Sequence, residues 1–405
     1  MTQTMTAPDA TSGDAQAIRP FQVNIPESAL TDLKRRIEET RWPEPELVDN
    51  GTQGVQLALM QKLAQYWAKD YDWRRCEAQL NALPNFITEI DGLDIHFIHL
   101  RSKHENALPI IITHGWPGSP VEQLKLVGPL TDPTAYGGNA EDAFDVVIPS
   151  MAGYGFSGKP TKPGWGPPRM AAAWVELMKR LGYSKFTAQG GDWGTFVTNE
   201  MAQLEPPELI GVHLNFPGFA PPNVAEALAK GQPPEGLTTE EQRAFDQLVF
   251  LFRNIPTQTM MAVHPQTLYG LADSPVALAA WMIDHDVASY AHIAKLFIDG
   301  EPFGSLTRDD ILDNITLSWL TNTGMSSARL YTELKDGFIH DLHISVPAAV
   351  SVFPEEVFQA PRSWAERAYT NLLHYNQLPK GGHFAAWEQP ELFTSELRAA
   401  FKTLR

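Results

Sequence analysis

The sequence predicts an α/β fold: a mostly parallel central sheet, flanked by helices and interrupted by a helical insertion. Short runs that are apolar throughout alternate with helical stretches, which is typical of parallel strands buried on both faces. Strand patterns then vanish between Leu214 and Ile344, and helical patterns replace them. A glycine-rich turn at residues 190–194 follows one of the apolar runs, at the sheet edge where α/β folds carry their sites.

The first part of the chain predicts a tail followed by helices. Residues 1–17 lack the basic and apolar segments of a signal peptide and predict a disordered tail. Apolar residues at helical spacing predict helices over residues 26–39 and from about residue 56 to 69. This N-terminal helical region, residues 18–84, has no catalytic constellation of its own.

The predicted core is built in two parts, residues 85–216 and 344–405. Alternating apolar residues on either side of Asp91-Gly92 predict a hairpin at its start. Five apolar runs then predict buried strands, at residues 108–112, 144–148, 185–189, 210–214 and 344–350. A helix over residues 392–404 ends the chain.

The insertion, residues 217–343, predicts a helical lid. Its helical patterns cover residues 239–253, 275–298 and 307–320. Because it joins two strands of the sheet, it is placed to cover the carboxyl ends of the strands.

Composition excludes several classes of function. The chain has 405 residues, 43% of them hydrophobic and 20% charged, which is globular composition. A net charge of −17 disfavours binding to nucleic acid or to anionic membranes. The sole cysteine, Cys76, excludes an intrachain disulfide and is expected to be structural. No stretch approaches the ~20 apolar residues of a membrane span, and we expect a cytoplasmic protein.

The glycine-rich turn carries the strongest chemical signal. Its sequence is Gly190-Gly191-Asp192-Trp193-Gly194. Gly-x-nucleophile-x-Gly between a strand and a helix is the nucleophile elbow, in which glycines permit a tight turn that exposes the central side chain. A carboxylate there, Asp192, can open a bond at a saturated carbon and form an ester. The alternative is an aspartate that only caps the helix.

A second turn, His114-Gly115-Trp116-Pro117-Gly118, follows the predicted strand 108–112. In an elbow fold this loop supplies one backbone N–H to the oxyanion hole, and the residue after the nucleophile supplies the other. Trp116 and Trp193 are therefore the candidate donors, and His114 is expected to support the loop. The alternative is an ordinary Gly/Pro turn.

A third turn, Gly381-Gly382-His383-Phe384, precedes the terminal helix and makes His383 the candidate general base. The acid that orients such an imidazole is expected after the strand 344–350, where Glu355 and Glu356 follow Phe353-Pro354. The chain order of nucleophile, acid and histidine is satisfied. The spacing alone leaves both glutamates open.

With these motifs the sequence resembles the epoxide hydrolases of the α/β-hydrolase fold, in the branch that shares an N-terminal helical domain with the microsomal enzymes. The resemblance extends from residue 18 to residue 404. The stretches that carry it are Ile18-Arg19-Pro20-Phe21, His114-Gly115-Trp116-Pro117-Gly118-Ser119, Gly153-Tyr154-Gly155-Phe156-Ser157, Gly190-Gly191-Asp192-Trp193-Gly194, Asp273-Ser274-Pro275 and Gly381-Gly382-His383-Phe384-Ala385-Ala386-Trp387-Glu388.

The resemblance implies conversion of an epoxide to a vicinal diol. An ester would form on Asp192, and His383 would activate water to hydrolyse it. Glu356 would be the acid, because it is the fourth residue of the family's Phe-Pro-x-Glu pattern. The implied partners are a small apolar epoxide and water, with no metal and no organic cofactor. The membrane-anchoring helix of the microsomal enzymes is not expected here, and a homo-oligomer is compatible with the sequence.

The resemblance also implies two lid tyrosines that donate hydrogen bonds to the epoxide oxygen. Tyr331, in Arg329-Leu330-Tyr331-Thr332-Glu333, matches the second of them. The position expected for the first holds Thr257. Tyr269 and Tyr290 are the alternatives, although both are expected to be packed lid residues.

Two other functions stay open. A hydrolase of carbon–halogen bonds also uses an elbow aspartate, but the N-terminal helical region argues against it. A non-catalytic ligand-binding relative would keep the pocket, but the intact Asp192, Glu356 and His383 argue against that. Four apolar lid residues could line a pocket, although core packing is the expected role: Phe250, Phe252, Met260 and Met261.

Overall fold

The computed structural model describes residues 16–405 except 49, 229, 255, 335–338 and 340. Most of the predicted tail, residues 1–15, lies outside this range. One nine-stranded sheet, in the order β1-β2-β3-β5-β4-β6-β7-β8-β9, forms the centre of the molecule. Its strands are β1 (Arg19–Phe21), β2 (Asn85–Ile90), β3 (Leu93–Leu100), β4 (Leu108–Thr113), β5 (Phe144–Pro149), β6 (Phe186–Gly190), β7 (Leu209–Leu214), β8 (Ala348–Val352) and β9 (Leu372–Gln377).

Helices cover both faces of this sheet and fill the insertion. Those of the N-terminal region and the first core part are α1 (Glu27–Glu38), α2 (Leu57–Lys69), α3 (Trp73–Asn81), α4 (Leu124–Thr131), α5 (Pro167–Arg180) and α6 (Trp193–Gln203). The insertion holds α7 (Pro222–Leu228), α8 (Thr239–Asn254), α9 (Pro256–Val263), α10 (Gly270–Asp273), α11 (Pro275–Ile283), α12 (Val287–Ile298), α13 (Arg308–Leu320) and α14 (Gly324–Ala328). The second core part holds α15 (Arg362–Ala368), α16 (Ala385–Glu388) and α17 (Pro390–Ala400). None of the described helices combines the length and the apolar character that a membrane span requires.

The sheet is parallel where the sequence is apolar throughout. Strands β5, β4, β6, β7, β8 and β9 pair in parallel, whereas β1, β2, β3 and β5 pair antiparallel. Every residue of β6 and β8 is buried, which explains why these strands show no alternation.

Some predicted elements need correction. The strand predicted from residue 344 begins at Ala348, because Ile344 makes only an isolated bridge to Tyr369. The edge strand β9 was not predicted, since half-buried polar residues interrupt its apolar pattern. The three-residue β1 was also missed, and it adds a strand to a region predicted to be helical.

The helix predicted over residues 275–298 is two helices. α11 ends at Ile283 and α12 begins at Val287, where the Asp286 side chain caps the new helix by accepting from the N–H of Ser289 at 2.9 Å. A helical apolar stripe continues through this break, so periodicity alone could not show it. The break directs residue 285 out of either helix.

The N-terminal helices support the helical insertion. Trp67 donates its indole N–H to Thr316 at 2.9 Å, and Tyr71 donates its hydroxyl to Asp313 at 2.8 Å. Arg75 approaches both oxygens of Asp313 at 2.7 Å. Burial raises the pKa of Asp313 to about 6, although the hydrogen bond and charge of Arg75 act in the opposite direction. Helix α13 of the insertion therefore depends on the region of α2 and α3 to satisfy its buried polar groups.

Replacing Arg75 with Met should lower the free energy of unfolding by about 1–3 kcal/mol, because it leaves the buried Asp313 without its cation. Adding Asp313→Asn should recover part of that loss, since an amide needs no counter-charge. Chemical denaturation measures both. Arg35→Met is the matched control, because the ion pairs of the exposed Arg35 are screened by solvent and contribute little to stability. An Arg75→Met effect no larger than the control would contradict the bracing role.

Candidate active site

Asp192 lies on a strained turn between β6 and α6. Its backbone has φ 50° and ψ −126°, a left-handed conformation that non-glycine residues seldom adopt. The glycines around it are required, because a Cβ on Gly190 would overlap the carbonyl of Gly194, and one on Gly194 would overlap the carbonyl of Thr113. Asp192 occupies the N-cap position of α6, yet its side chain makes no capping hydrogen bond. The carboxylate is therefore directed away from the helix, with 17% of the side chain exposed.

The turn after β4 lies against this carboxylate. The backbone N–H of Trp116 donates to Asp192 Oδ1 at 2.7 Å. A Cβ on Gly115 would overlap Asp192, so the glycine makes room for the carboxylate. Trp193 is the first residue of α6, so its N–H lies at the positive end of that helix. The structure thus brings both candidate oxyanion donors to the elbow.

His114 holds the turn from behind. Its ring is fully buried, donates from Nδ1 to the carbonyl of Gly115 at 3.0 Å and accepts from the N–H of Met151 at 3.2 Å. Burial lowers the pKa of His114 to about 4, so the ring is neutral. This is the supporting contact expected of it.

His383 lies on the opposite side of Asp192 and is paired with Glu356. Its Nδ1 donates to Glu356 Oε1 at 2.6 Å, and its Nε2 lies 3.5 Å from Asp192 Oδ2. Glu356 is fully buried, whereas the side chain of Glu355 is 43% exposed and pairs with His292 instead. The spacing in the sequence could not distinguish the two glutamates, but in the structure they contact different histidines.

The loop that carries His383 is held by a residue that sequence reasoning left out. Glu388 accepts from the N–H groups of Gly382 and Phe384 at 2.6 and 3.3 Å, one on each side of the histidine. Burial raises the pKa of Glu388 to about 7 against these hydrogen bonds. The six-residue spacing from Gly382 allows both hydrogen bonds, because the short helix α16 brings the Glu388 side chain back to the loop.

The charges of Asp192 and His383 stabilise each other. Burial alone would raise the pKa of Asp192, but the hydrogen bond and charge of His383, the charge of His285 and the Trp116 N–H together lower it. Burial would also lower the pKa of His383, but Glu356 and Asp192 outweigh it and raise that pKa well above its ordinary value. The elbow carboxylate is therefore ionised beside an imidazolium.

A cavity of about 190 Å³ opens above Asp192. Its lining is mainly apolar and consists of Asp192, Phe196, Phe216, Leu251, Phe252, Gln258, Thr259, Ala262, Val263, His285, Tyr331, Val357 and His383. The buried ring of Tyr331 lies edge-on to Trp193 and Trp116, with centroids 4.8 and 5.6 Å away. Burial and the charge of Asp192 raise the pKa of Tyr331 well above its ordinary value. Tyr331 is the one tyrosine that lines this cavity in the described part of the chain.

The other lid candidates lie elsewhere. Thr257 is buried, and its hydroxyl donates to the carbonyl of Asp284 at 3.4 Å. Tyr269 is 66% exposed, and the hydroxyl of Tyr290 accepts from the backbone N–H of Gln56. Of the four apolar lid residues considered above, Phe252 lines the cavity and Met261 is buried in the core. Phe250 and Met260 are on the surface.

His285 is the site residue that sequence reasoning missed. It lies in the break between α11 and α12, lines the cavity, and has its ring centroid 4.5 Å from that of His383. Its Nδ1 lies 2.9 Å from Asp286 Oδ2. The local signal was the helix cap at Asp286, which the uninterrupted apolar stripe obscured.

Asp192, His285 and His383 could also hold a metal ion. Each offers one ligand atom, and the three atoms lie within 4.8 Å of one another. No other group of this kind occurs among residues 16–405 outside the gaps named above. Each of the three side chains already has a polar contact in the protein, which favours direct use of the groups over coordination.

Comparison with known proteins finds relatives over nearly the whole chain. The family model for the epoxide hydrolase N terminus matches residues 18–123, and the model for the alpha/beta hydrolase fold matches residues 109–263. A Stigmatella aurantiaca protein with a provisional epoxide hydrolase name is 51% identical over 390 residues, which are 96% of this chain and 86% of that protein. Epoxide hydrolase 1 of Oryctolagus cuniculus is 35% identical over 400 residues, which are 94% of this chain and 88% of the relative.

Solved structures are similar over the same extent. Juvenile hormone epoxide hydrolase from the silkworm Bombyx mori has a TM-score of 0.83 at 28% identity, covering 96% of this chain and 95% of that one. The Aspergillus niger epoxide hydrolase has a TM-score of 0.79 at 30% identity, covering 96% and 97%. These likenesses confirm the predicted α/β-hydrolase fold.

Replacing Glu356 with Gln should lower the pKa of His383, because the carboxylate that stabilises the imidazolium becomes a neutral amide. Glu355→Gln is the matched control and should leave that pKa unchanged, since Glu355 pairs with His292. An NMR titration of the histidine ring resonances measures both. A larger change in the Glu355 variant would assign the pairing to the neighbouring residue.

Proposed function

The chain belongs to the epoxide hydrolase family, and we propose that it converts an epoxide to a vicinal diol through a covalent ester on Asp192. The single observation that carries this assignment is the geometry of the elbow. Asp192 has one oxygen on the Trp116 N–H, the other 3.5 Å from His383, and an apolar cavity in front of it. Such a carboxylate is ionised, oriented and open to a small apolar substrate.

In the first step, Asp192 Oδ2 attacks an epoxide carbon and the ring C–O bond breaks. The electron pair of that bond passes to the epoxide oxygen, which becomes strongly basic and needs a hydrogen-bond donor. Tyr331 is the proposed donor, because its buried phenol lines the same cavity as Asp192. Its hydroxyl holds the oxygen while the ester forms.

In the second step, His383 activates water, and the change of charge at Asp192 makes this feasible. The carboxylate of Asp192 helps to raise the pKa of His383 in the free enzyme. Ester formation removes that charge, so burial lowers the pKa of His383. The imidazolium then gives up its proton, which balances the proton that the alkoxide oxygen takes up, and the neutral ring can accept a proton from water. Glu356 keeps the ring oriented and stabilises the cation that results.

Hydrolysis then occurs at the carboxyl carbon of Asp192. Attack by water places negative charge on the oxygen that already accepts from the Trp116 N–H. The N–H of Trp193, at the start of α6, is the proposed second donor, so the positive end of a helix faces the developing charge. Collapse of this intermediate releases the diol and restores the carboxylate.

The substrate class follows from the cavity. Seven of its thirteen lining residues are phenylalanine, leucine, valine or alanine, and its volume of about 190 Å³ suits a small apolar epoxide. With a carbon–halogen substrate no strongly basic oxygen would form, so the phenol of Tyr331 would have no acceptor. A purely ligand-binding role would not need the ionised Asp192 beside His383. The cytoplasmic location and a homo-oligomer stay predictions from the sequence.

Replacing His383 with Gln should block the second step far more than the first, because Gln cannot remove a proton from water. With an epoxide, an adduct of the substrate's mass should then accumulate on the peptide that contains Asp192. Mass spectrometry of the digested enzyme detects it. The double variant with Asp192→Asn is the control and should carry no adduct, since an amide is a poor nucleophile. Substrate consumption without any adduct would contradict the two-step scheme.

Replacing Tyr331 with Phe keeps the ring packing and removes the hydroxyl. Ester formation should slow by roughly 10²–10⁴-fold, the range for a single acid–base group, while ester hydrolysis should be unchanged. Rapid-quench measurement of the adduct separates the two steps. Tyr290→Phe, in the same lid but outside the cavity, is the matched control. Normal ester formation in the Tyr331 variant would show that another group holds the epoxide oxygen.

A further inference from the structure

We propose that His285, held by Asp286, is the acid that gives a proton to the epoxide oxygen as the ester forms on Asp192. This inference rests on the proposed function and deepens it. It separates two tasks at the leaving oxygen: Tyr331 holds the oxygen by a hydrogen bond, and His285 supplies the proton.

The first argument is the direction of the His285 ring. Because Asp286 accepts the hydrogen bond, the proton on the His285 ring must be on Nδ1, and Nε2 points away from Asp286. His285 is 3% exposed and lines the cavity. Its Nε2 is buried and has no hydrogen-bond partner among the residues that the structure describes. A buried polar atom that lacks a partner, on a residue that lines the cavity, is available to a substrate atom.

The second argument is position. The rings of His285 and Tyr331 both contact the ring of Trp116, with centroids 6.0 and 5.6 Å from it. The ligand atoms of His285 and Asp192 lie within 4.8 Å of each other. The proposal therefore places the oxygen of an epoxide bound at Asp192 between the imidazole of His285 and the phenol of Tyr331.

The third argument is acidity. A hydrogen bond from Nε2 requires the imidazolium, since Nδ1 already carries a proton for Asp286. That cation has an anion within 2.9 Å, because the pKa of Asp286 is lowered well below its ordinary value: burial opposes the shift, and the hydrogen bond and charge of His285 outweigh it. Tyr331, whose pKa is raised by burial, is a much weaker acid. An imidazolium can give up its proton to an alkoxide, and the buried phenol retains its own.

The titratable groups of this cluster carry net negative charge. His285 acts on the charges of Asp286, Asp284 and Asp192, and its ring lies beside that of His383. Glu356, Tyr331, Glu388 and Glu122 belong to the next layer, because each interacts with Asp192, Asp286 or His383. Burial raises the pKa of Glu122 to about 8 and that of Glu388 to about 7. Asp192, Asp286 and Glu356 then leave an excess of negative charge even with both imidazoles protonated.

The proton balance closes without a co-reactant. As the bond from Asp192 Oδ2 to carbon forms, the carbon–oxygen bond breaks and its oxygen takes the Nε2 proton, leaving His285 neutral. The proton that His383 must lose before it can act as a base returns His285 to its charged form. Water then attacks the ester, its proton passes to His383, and the diol leaves. The sum is epoxide plus water to diol.

The test is the rate of ester formation in the full-length enzyme, measured by rapid quench and mass spectrometry and compared with the rate of ester hydrolysis. His285→Gln should slow ester formation by roughly 10²–10⁴-fold, while hydrolysis of the preformed ester is unchanged. His292→Gln, a histidine of the insertion that is paired with Glu355 and lies outside the cavity, should leave both rates unchanged.

Asp286→Asn gives an independent test that does not depend on removing the histidine. The amide oxygen can still cap α12 by accepting from Ser289, but the NH₂ group then faces Nδ1 of His285 and no longer stabilises the cation. Ester formation should therefore slow while hydrolysis of the preformed ester is unchanged, a split between the two steps that a purely structural role would not produce. Ester formation at the native rate would overturn the proposal even if His285→Gln failed to fold.

The remaining outcomes are separable. Near-normal ester formation in His285→Gln would overturn this proposal and leave the proposed function intact. Accumulation of ester in that variant would assign His285 to the water step and overturn it as well. Absence of any Asp192 ester in the native enzyme, despite turnover, would instead overturn the proposed function itself.

Discussion

The largely buried carboxylate of Asp192 is the constraint on which the rest of the site depends. Removing an ionised carboxylate from water costs several kcal/mol unless hydrogen bonds and opposite charges compensate. The Trp116 N–H and the charges of His383 and His285 supply that compensation. The same carboxylate explains the glycine at position 115, since a Cβ there would fill the space that the carboxylate occupies.

The fold supplies these compensating groups from two independent sides. Trp116, Asp192, Glu356 and His383 follow the parallel strands β4, β6, β8 and β9, whose carboxyl ends meet at one edge of the sheet. His285 and Tyr331 come from the insertion, which the N-terminal helices hold through α13. The sheet therefore positions the proposed nucleophile and base, while the insertion and the N-terminal helices position the groups proposed to face the leaving oxygen.

This division also explains what the sequence could predict. Elbow and loop glycines are required by close backbone contacts, so their spacing predicted Asp192, Trp116 and His383 at the sheet edge. The choice between Glu355 and Glu356 depends on which one faces His383, and that direction is set by packing against His292 and the core, not by a pattern. His285 could not be predicted, because a single capping residue breaks a helix whose apolar stripe continues on both sides.

The charges of the cluster suggest why two imidazoles stand beside one nucleophile. Before the proposed ester forms, the carboxylates of Asp192, Asp286 and Glu356 outnumber the two imidazolium ions by one. Ester formation removes one negative charge from Asp192 and one positive charge from His285 together, so the excess is the same afterwards.

A water-poor cavity stabilises a change of net charge poorly, because little solvent can reorganise around it. With a phenol as the only donor, the charge of Asp192 would instead move onto the substrate oxygen inside the apolar cavity. Because His285 is paired with Asp286, it can protonate the substrate oxygen as the negative charge forms there. An acid that is itself hydrogen-bonded to a carboxylate is therefore favoured at this position.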